Sequence, residues 1–253
     1  MRRGLSPKKA SLLLSLSLLA SFAAWGCAEE KVETQDIVSA IPWASREEAH
    51  YRLEDREGNE DGVGVVAVEQ RGETYRLTLR FRDDGNSDES EVTVDAESLK
   101  PLSVRRVIVG EDRTDVVEGN YVEEGVLIDA KSDGDETKSS LRVPEHSYDN
   151  ESSLFLWRTL PFEEGFEATY NTIKVNQRER STVTVTVVGR ETVDVPAGTF
   201  ETWRVEVRSG DIDQVAWYAT DARHHLVKYD NSLLVFLLDQ PPEESEEVSA
   251  PAP

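Results

Sequence analysis

The chain has 253 residues, with 28 Lys and Arg against 50 Asp and Glu, which gives a formal net charge of −22. A single Cys excludes a disulfide framework and a Cys-rich zinc site, because each needs more than one thiol. The negative charge argues against a nucleic-acid partner, since it repels phosphates instead of releasing their counterions. The apolar residues are regularly spaced, so we do not expect disorder throughout.

The first 26 residues have the layout of a secretory signal peptide. Basic residues precede an uncharged, Leu-rich run that ends in small residues, and no acid is present. This run is shorter than the roughly 20 residues that a bilayer-spanning helix needs. We therefore predict a cleaved signal over residues 1–26 and not a permanent anchor helix.

The signal ends in Ala24-Trp25-Gly26-Cys27, which resembles the lipobox of bacterial lipoproteins. In that motif the Cys thiol is diacylated and the chain is cut before it, and the one Cys of this sequence lies at that position. The resemblance implies that Cys27 carries acyl chains such as palmitate, which anchor the protein to a membrane. Ala28 follows where Asp would retain a Gram-negative lipoprotein at the inner membrane. In a Gram-negative cell the resemblance therefore implies the outer membrane, facing the periplasm, while the sequence leaves the cell type open.

Composition divides the rest of the chain into three parts. Residues 27–45 combine the acylated Cys with an acidic stretch of little apolar periodicity, which is typical of a flexible tether. Residues 46–238 are expected to form one β-rich domain. Residues 239–253 contain four Pro, five acids and one large aliphatic residue, so we expect a disordered tail. The acidic body repels anionic headgroups, so the lipid must supply the membrane affinity.

Period-two alternation recurs along residues 46–238 and predicts strands with one buried and one wet face, the antiparallel case. The alternation is clearest over residues 75–81, 182–187 and 203–208. Further strands are expected near residues 50–56, 63–71, 91–95, 103–109, 113–118, 124–130, 138–143, 166–175, 213–219, 225–229 and 232–238. One stretch, residues 150–160, predicts a helix that Pro161 stops.

Such a series of strands must close or curl to hide its edges. We predict a mainly β fold in which a strongly curved antiparallel sheet, a barrel or half-barrel, carries one short helix at its side or end. A two-sheet β-sandwich is the alternative.

Two short motifs suggest ligands, and both have a structural interpretation. Residues 62–67 fit G-x-G-x-x-A, but polar residues precede them and a Val-rich strand follows, whereas a dinucleotide site needs a strand before and a helix after. Asp84, Asn86 and Asp88 offer oxygen ligands at alternate positions, as calcium loops do, but the later positions of an EF-hand loop do not match. A hairpin tip is the favoured interpretation, with calcium as a weak alternative. We expect no cofactor.

The remaining polar residues do not form a recognisable catalytic or metal site. The adjacent His224 and His225 would point to opposite faces of a strand, and no H-E-x-x-H or G-x-S-x-G motif is present. The sequence therefore predicts no catalytic residues and, apart from the weak calcium alternative above, no metal ligands. Five aromatic residues either fill the core or line an apolar cavity: Trp43, Trp157, Trp203, Trp217 and Tyr218.

Residues 189–202, G-R-E-T-V-D-V-P-A-G-T-F-E-T, resemble the most recognisable motif of the exported bacterial proteins grouped as domain of unknown function 3108. Residues 156–162 (L-W-R-T-L-P-F), 216–218 (A-W-Y) and 225–228 (H-L-V-K) extend the resemblance. It implies an exported β-rich protein without a known reaction, and it assigns no catalytic residue.

The physical interpretation of this motif is a hairpin. Pro196 fixes φ and lacks an N–H donor, Gly198 permits a left-handed backbone, and Phe200 re-enters the core. The hairpin residues are Val195, Pro196, Ala197, Gly198, Thr199 and Phe200.

These observations favour a non-enzymatic, membrane-anchored lipoprotein that binds an apolar ligand or an envelope protein. An envelope hydrolase with an unrecognised site, and a structural or assembly protein of the envelope, are the alternatives. The sequence leaves the oligomeric state open.

Overall fold

The structure of this protein, a computed structural model, describes residues 32–245. The predicted signal peptide, Cys27 and residues 246–253 of the predicted tail lie outside the described residues. Among residues 32–245, none of the helices has both the length and the apolar character needed to cross a membrane.

Residues 32–245 contain sixteen strands and one short helical segment. In chain order the strands are β1 (Arg46–Glu54), β2 (Glu60–Arg71), β3 (Thr74–Arg82), β4 (Ser87–Asp95), β5 (Pro101–Val109), β6 (Thr114–Val122), β7 (Gly125–Ser132), β8 (Asp135–Arg142), β9 (Ser147–Asp149), β10 (Glu167–Lys174), β11 (Glu179–Val195), β12 (Gly198–Ser209), β13 (Ile212–Ala219), β14 (Leu226–Asp230), β15 (Val235–Leu238) and β16 (Glu243–Ser245). The helical segment consists of a 3₁₀ turn (Asn150–Ser152), α1 (Ser153–Leu156) and a second 3₁₀ turn (Trp157–Thr159).

All sixteen strands belong to one sheet, in the order β8-β7-β6-β5-β4-β3-β2-β1-β15-β14-β13-β12-β11-β10-β9, with β16 added to β1. Only the β9–β10 pair is parallel. The edges β8 and β9 do not pair with each other, so the sheet curls without closing. The curl brings β9 into contact with β5. The predicted curved antiparallel sheet is confirmed, and the β-sandwich alternative is wrong because no second sheet exists among residues 32–245.

The core lies on the inner face of the curled sheet. Apolar side chains at every second position of the strands point to this face. Val183, Val185 and Val187 are buried, while the intervening threonines are half-buried. Burying each such side chain contributes about 1.5–3 kcal/mol, which favours this register because a one-residue slip would expose the whole set. Every predicted strand overlaps an observed one, whereas β9 and β16 were not predicted.

The helical segment is a plug inside the curl. The predicted helix over residues 150–160 is divided into three short turns, of which only α1 is α-helical. Leu154, Phe155, Leu156 and Trp157 are all buried. A helix that is apolar on every side must be surrounded by protein. The sheet therefore wraps around it.

Residues 32–45, which the sequence predicts to be part of a flexible tether, pack against the sheet instead. The Gln35 N–H donates to the Thr169 carbonyl at 2.8 Å. Ile37 and Trp43 are only 3% and 5% exposed. The prediction misses this because the apolar residues of this segment are irregularly spaced and give no periodic signal, although their burial favours an ordered segment.

The first part of the predicted disordered tail, residues 239–253, is ordered in the structure up to residue 245. Residues 243–245 form β16, which pairs antiparallel with residues 46–48 of β1. Main-chain hydrogen bonds and one side-chain cluster, described below, hold a stretch whose composition alone is typical of disorder.

The predicted hairpin residues join β11 to β12. Val195 pairs with Gly198 across a turn formed by Pro196 and Ala197. Gly198 has a φ of +133°, a conformation that favours glycine. The Ala197 N–H donates to the Leu238 carbonyl, which ties the hairpin to the end of β15. The arrangement is structural.

Candidate functional site

A cavity of about 170 Å³ lies inside the curl, between the helical segment and strands β3 and β10–β15. Ser209 and Ile212, which flank the β12–β13 turn, and Asn231, which follows β14, are part of its lining. The cavity therefore lies at the end of the sheet where these turns are found, and we name it the mouth cavity.

Aromatic rings form one wall of the mouth cavity. Phe236 lies between Phe81 and Tyr229, with ring centroids 5.2 and 5.3 Å away, and Trp157 lies 6.1 Å from Tyr229. The Trp157 indole N–H donates to the Tyr170 hydroxyl at 2.9 Å. These contacts fix the rings before any ligand arrives, so a ligand loses little to side-chain ordering.

Hydrogen bonds also fix polar groups in the lining. The Tyr229 hydroxyl donates to Gln214 Oε1 at 2.7 Å. Glu151 Oε1 accepts from Arg106 Nη1 at 3.0 Å, and Arg106 also forms a two-bond ion pair with Asp88 at 2.9 and 2.5 Å. These acceptors raise the pKa of Arg106 despite its partial burial. The site combines an apolar wall with a few oriented polar groups, as ligand pockets do.

Asp149 holds the start of the helical segment. Its side chain is almost completely buried, and it accepts from the Tyr121 hydroxyl at 2.6 Å and from the Glu151 N–H at 2.8 Å. Burial, reinforced by the charge of Glu151, raises the pKa of Asp149 to about 7. A raised pKa is typical of catalytic acids. However, both carboxylate oxygens have protein donors, and Asp149 does not line the mouth cavity.

A second polar group of interest, named here the buried charge cluster, consists of the buried residues Glu47, Arg158 and His225 and the exposed Glu244 beside them. The Arg158 and Glu47 side chains are 2% and 3% exposed and form two hydrogen bonds, of 2.7 and 3.2 Å. Arg158 also donates to the Arg223 carbonyl at 2.7 Å. The cluster therefore connects β1, the helical segment and the loop before β14.

His225 completes the buried charge cluster. Its Nε2 lies 2.7 Å from Glu244 Oε1 and 3.7 Å from Glu47 Oε2. Neither contact has the geometry of a hydrogen bond. Burial, and then the positive charge of Arg158, lower the pKa of His225, so the ring is neutral at pH 7. The cluster attaches β16 to the body.

The donor atoms of Glu47, His225 and Glu244 lie within 4.8 Å of one another, a spacing that can hold a metal ion. The sequence did not predict this grouping, because the three residues are far apart in the chain. Arg158 pairs with Glu47, and Arg223 Nε lies 3.3 Å from Glu244. Both carboxylates are already compensated, so a divalent cation would add uncompensated positive charge to a mostly buried site. We interpret the cluster as structural.

The weak calcium candidates lie in and just after the β3–β4 turn, where Asp84 and Asn86 line one shallow surface depression. Asn86 bonds to Asp83 through its N–H and its side-chain amide, at 2.9 and 2.8 Å. Asp88 pairs with Arg106, while Asp84 is exposed. The G-x-G-x-x-A residues lie inside β2 and have no following helix. Cys27 lies outside the described residues.

The five predicted aromatic residues divide among different environments. Trp43 packs edge-on against Tyr75 and Phe155 in the core. Tyr218 is buried, and its hydroxyl donates to the Leu154 carbonyl. Trp203 and Trp217 do not line the mouth cavity either, and of the five only Trp157 does. The other three rings of the wall were missed, because no sequence pattern distinguishes a ring that lines a cavity from one that fills a core.

A larger surface depression, about 710 Å³, lies beside the β6–β7 turn and the end of β8. Val122 and Leu127, each 51% exposed, contribute to its lining. It has no aromatic wall and no buried polar group among its lining residues. The mouth cavity is therefore the better candidate for a binding site.

Comparison with known proteins gives a family and a fold. A family model described as "Protein of unknown function (DUF3108)" matches residues 48–235. No curated protein matches the chain. The β-barrel-like protein of domain of unknown function DUF1849 from Brucella abortus superposes with a TM-score of 0.53 at 11% identity, over 82% of this chain and 100% of that chain. This likeness shows a shared fold.

Two further solved structures match with lower scores. A candidate lipoprotein from Parabacteroides distasonis has a TM-score of 0.31 at 13% identity, over 81% of this chain and 99% of that chain. A candidate exported protein with a YmcC-like fold from Bacteroides fragilis has a TM-score of 0.30 at 12% identity, over 82% of this chain and 100% of that chain.

Proposed function

The chain belongs to the DUF3108 family of proteins of unknown function, and on that premise we propose that it is a lipid-anchored envelope protein that binds a small apolar ligand in the mouth cavity. The observation that carries this proposal is the aromatic wall inside a sheet that curls without closing. A curled sheet with a filled core needs no such space for its stability, because empty apolar volume is destabilising.

The size of the mouth cavity limits the ligand. A volume of about 170 Å³ is smaller than the roughly 300–1,000 Å³ of typical ligand pockets. At about 30 Å³ for each water-sized group, the space accommodates about six such groups. The ligand is therefore a small molecule, or the end of a longer one.

Ligand binding is tested with residues 28–253, which include the whole described fold. We expect native mass spectrometry to show uptake of a small apolar compound such as hexanol. Val207 lines the mouth cavity and is buried, so Val207→Phe should fill the space and abolish uptake. Val188→Phe, at an exposed position outside the lining, should bind as the parent does. Equal uptake by both variants would place the ligand elsewhere.

The lipid anchor rests on the lipobox resemblance and on the position of the one Cys of the chain, Cys27. We expect labelled palmitate to enter the wild-type protein in cells and not the Cys27→Ala variant, because that variant lacks the thiol that is acylated. Membrane fractionation should then show a change in location, with the outer membrane as the expected site of the wild type. Label in the variant would contradict anchoring through Cys27.

A further inference from the structure

Lys174 is an unneutralised charge at the mouth cavity. It is the last residue of β10, is half-buried and belongs to the lining. Among residues 32–245, Lys174 has no carboxylate within the ion-pair distance of 4.0 Å, although the exposed acid Glu179 is its register partner on β11. The nearby Glu151, by contrast, is held by Arg106 at 3.0 Å. A ligand entering the cavity therefore meets one free cation and an acid that is already paired.

From this arrangement we propose that the mouth cavity binds a small amphiphile with an anionic head, such as a short-chain carboxylate. The ammonium group of Lys174 pairs with the head, and the wall formed by Phe81, Trp157, Tyr229 and Phe236 contacts the tail. This inference deepens the proposed function and depends on it. The volume of about 170 Å³ sets a tail of about six carbon atoms, each taken as one water-sized group.

The net charge of −22 does not exclude an anionic ligand. Charges farther away than the Debye length, about 8 Å at physiological ionic strength, are largely screened. A direct contact with the ammonium group of the half-buried Lys174 is screened less, and charge-assisted hydrogen bonds are among the stronger polar contacts. The ammonium group of Lys174 therefore favours an anionic head on the bound ligand, whereas the distant acids slow the approach of an anion.

The experiment compares three linear probes of six carbon atoms with different heads: hexanoate, hexanol and hexylamine. Residues 28–253 are titrated with each probe by NMR, and binding is monitored at the Trp157 indole N–H. We expect hexanoate to bind about 10–100-fold more tightly than hexanol, the range of one hydrogen bond to a charged group. Hexylamine should bind most weakly, because Lys174 repels it.

Lys174→Gln isolates the role of the charge. In this variant the affinity for hexanoate should fall to that for hexanol, while hexanol binds as it does to the parent. Arg180→Gln is the matched control, since Arg180 is exposed on β11 and outside the lining. This control should leave the preference for hexanoate unchanged.

The outcomes separate the two proposals. If hexanol binds at the mouth cavity and hexanoate binds no better, the anionic-head inference is wrong and the apolar site remains. Tightest binding of hexylamine would also overturn the inference, in favour of a cationic ligand. If none of the three probes perturbs the cavity, the proposed function fails together with the inference.

Discussion

Replacing Arg158 with Met lowers the free energy of unfolding by about 3–5 kcal/mol, the cost of removing one partner from a buried ion pair. The reason is the charge that remains. Glu47 is 3% exposed, and without the guanidinium its carboxylate stays in the interior with no cation bonded to it. The loss of the bond to the Arg223 carbonyl adds to the effect. Urea unfolding, followed by tryptophan fluorescence, measures the change.

Two further variants test this explanation. Arg208 and Asp213 form an ion pair that is 72% and 74% exposed, so Arg208→Met should cost less than about 1 kcal/mol. Combining Glu47→Gln with Arg158→Met removes the unpaired charge and should recover part of the loss. If Arg158→Met costs as little as Arg208→Met, the cluster does not stabilise the fold.

The buried charge cluster shows what local sequence patterns can predict and what they cannot. Alternation predicts β3, β11 and β12, because a strand with one buried face must repeat apolar residues at every second position. The partners in the cluster belong to β1, the helical segment, the loop before β14 and β16. Nothing in a local window places Glu47 beside Arg158. The charges at these positions appear in the sequence as ordinary surface acids and bases.

The helical segment and residues 32–45 differ from the sequence predictions for a related reason. The spacing of Leu154, Leu156 and Trp157 indicates an apolar segment, but the structure has one α-helical turn between two 3₁₀ turns. Side chains buried on all sides are stabilised by the surrounding sheet and do not need a long helix. Ile37 and Trp43 likewise obtain their stability from tertiary packing.

The mouth cavity depends on the same long-range packing. Trp157 was among the residues predicted to fill the core or line a cavity. Tyr229 and Phe236 are register partners on the adjacent strands β14 and β15, but Phe81 on β3 meets them only because the sheet curls. The sequence can predict the strands that contribute to a cavity. It cannot predict which inward-facing side chains leave space between them, since that depends on the radius of the curl.

Asp149 gives the protein a pH-dependent stability with an unusual sign. Its pKa rises from 3.8 to about 7 on folding, so between these pH values the folded state binds a proton that the unfolded state has lost. The contribution of Asp149 to stability therefore falls as the pH rises, by about 1.4 kcal/mol per pH unit. Between pH 4 and pH 8 the loss amounts to roughly 3–4 kcal/mol.

Asp149→Asn removes this titration and keeps the shape of the side chain. At pH 4 the variant should be equal to the wild type or slightly less stable, because the wild-type carboxyl is then neutral in the folded state. As the pH rises to 8, the stability of the variant relative to the wild type should increase by roughly 3–4 kcal/mol. Urea unfolding at several pH values between 4 and 8 gives this difference directly.

Asp115→Asn is a control of opposite sign. Hydrogen bonds from Arg113 and Ser132 lower the pKa of Asp115, so its charge stabilises the folded state above the unfolded pKa. The Asp115→Asn variant should lose stability relative to the wild type as the pH rises through about 4, and the loss should then stay constant. For Asp149→Asn, a difference that does not change between pH 4 and 8 would mean that the carboxylate is accommodated in its charged form. The hydroxyl of Tyr121 and the N–H of Glu151 would then suffice to offset the burial of the charge.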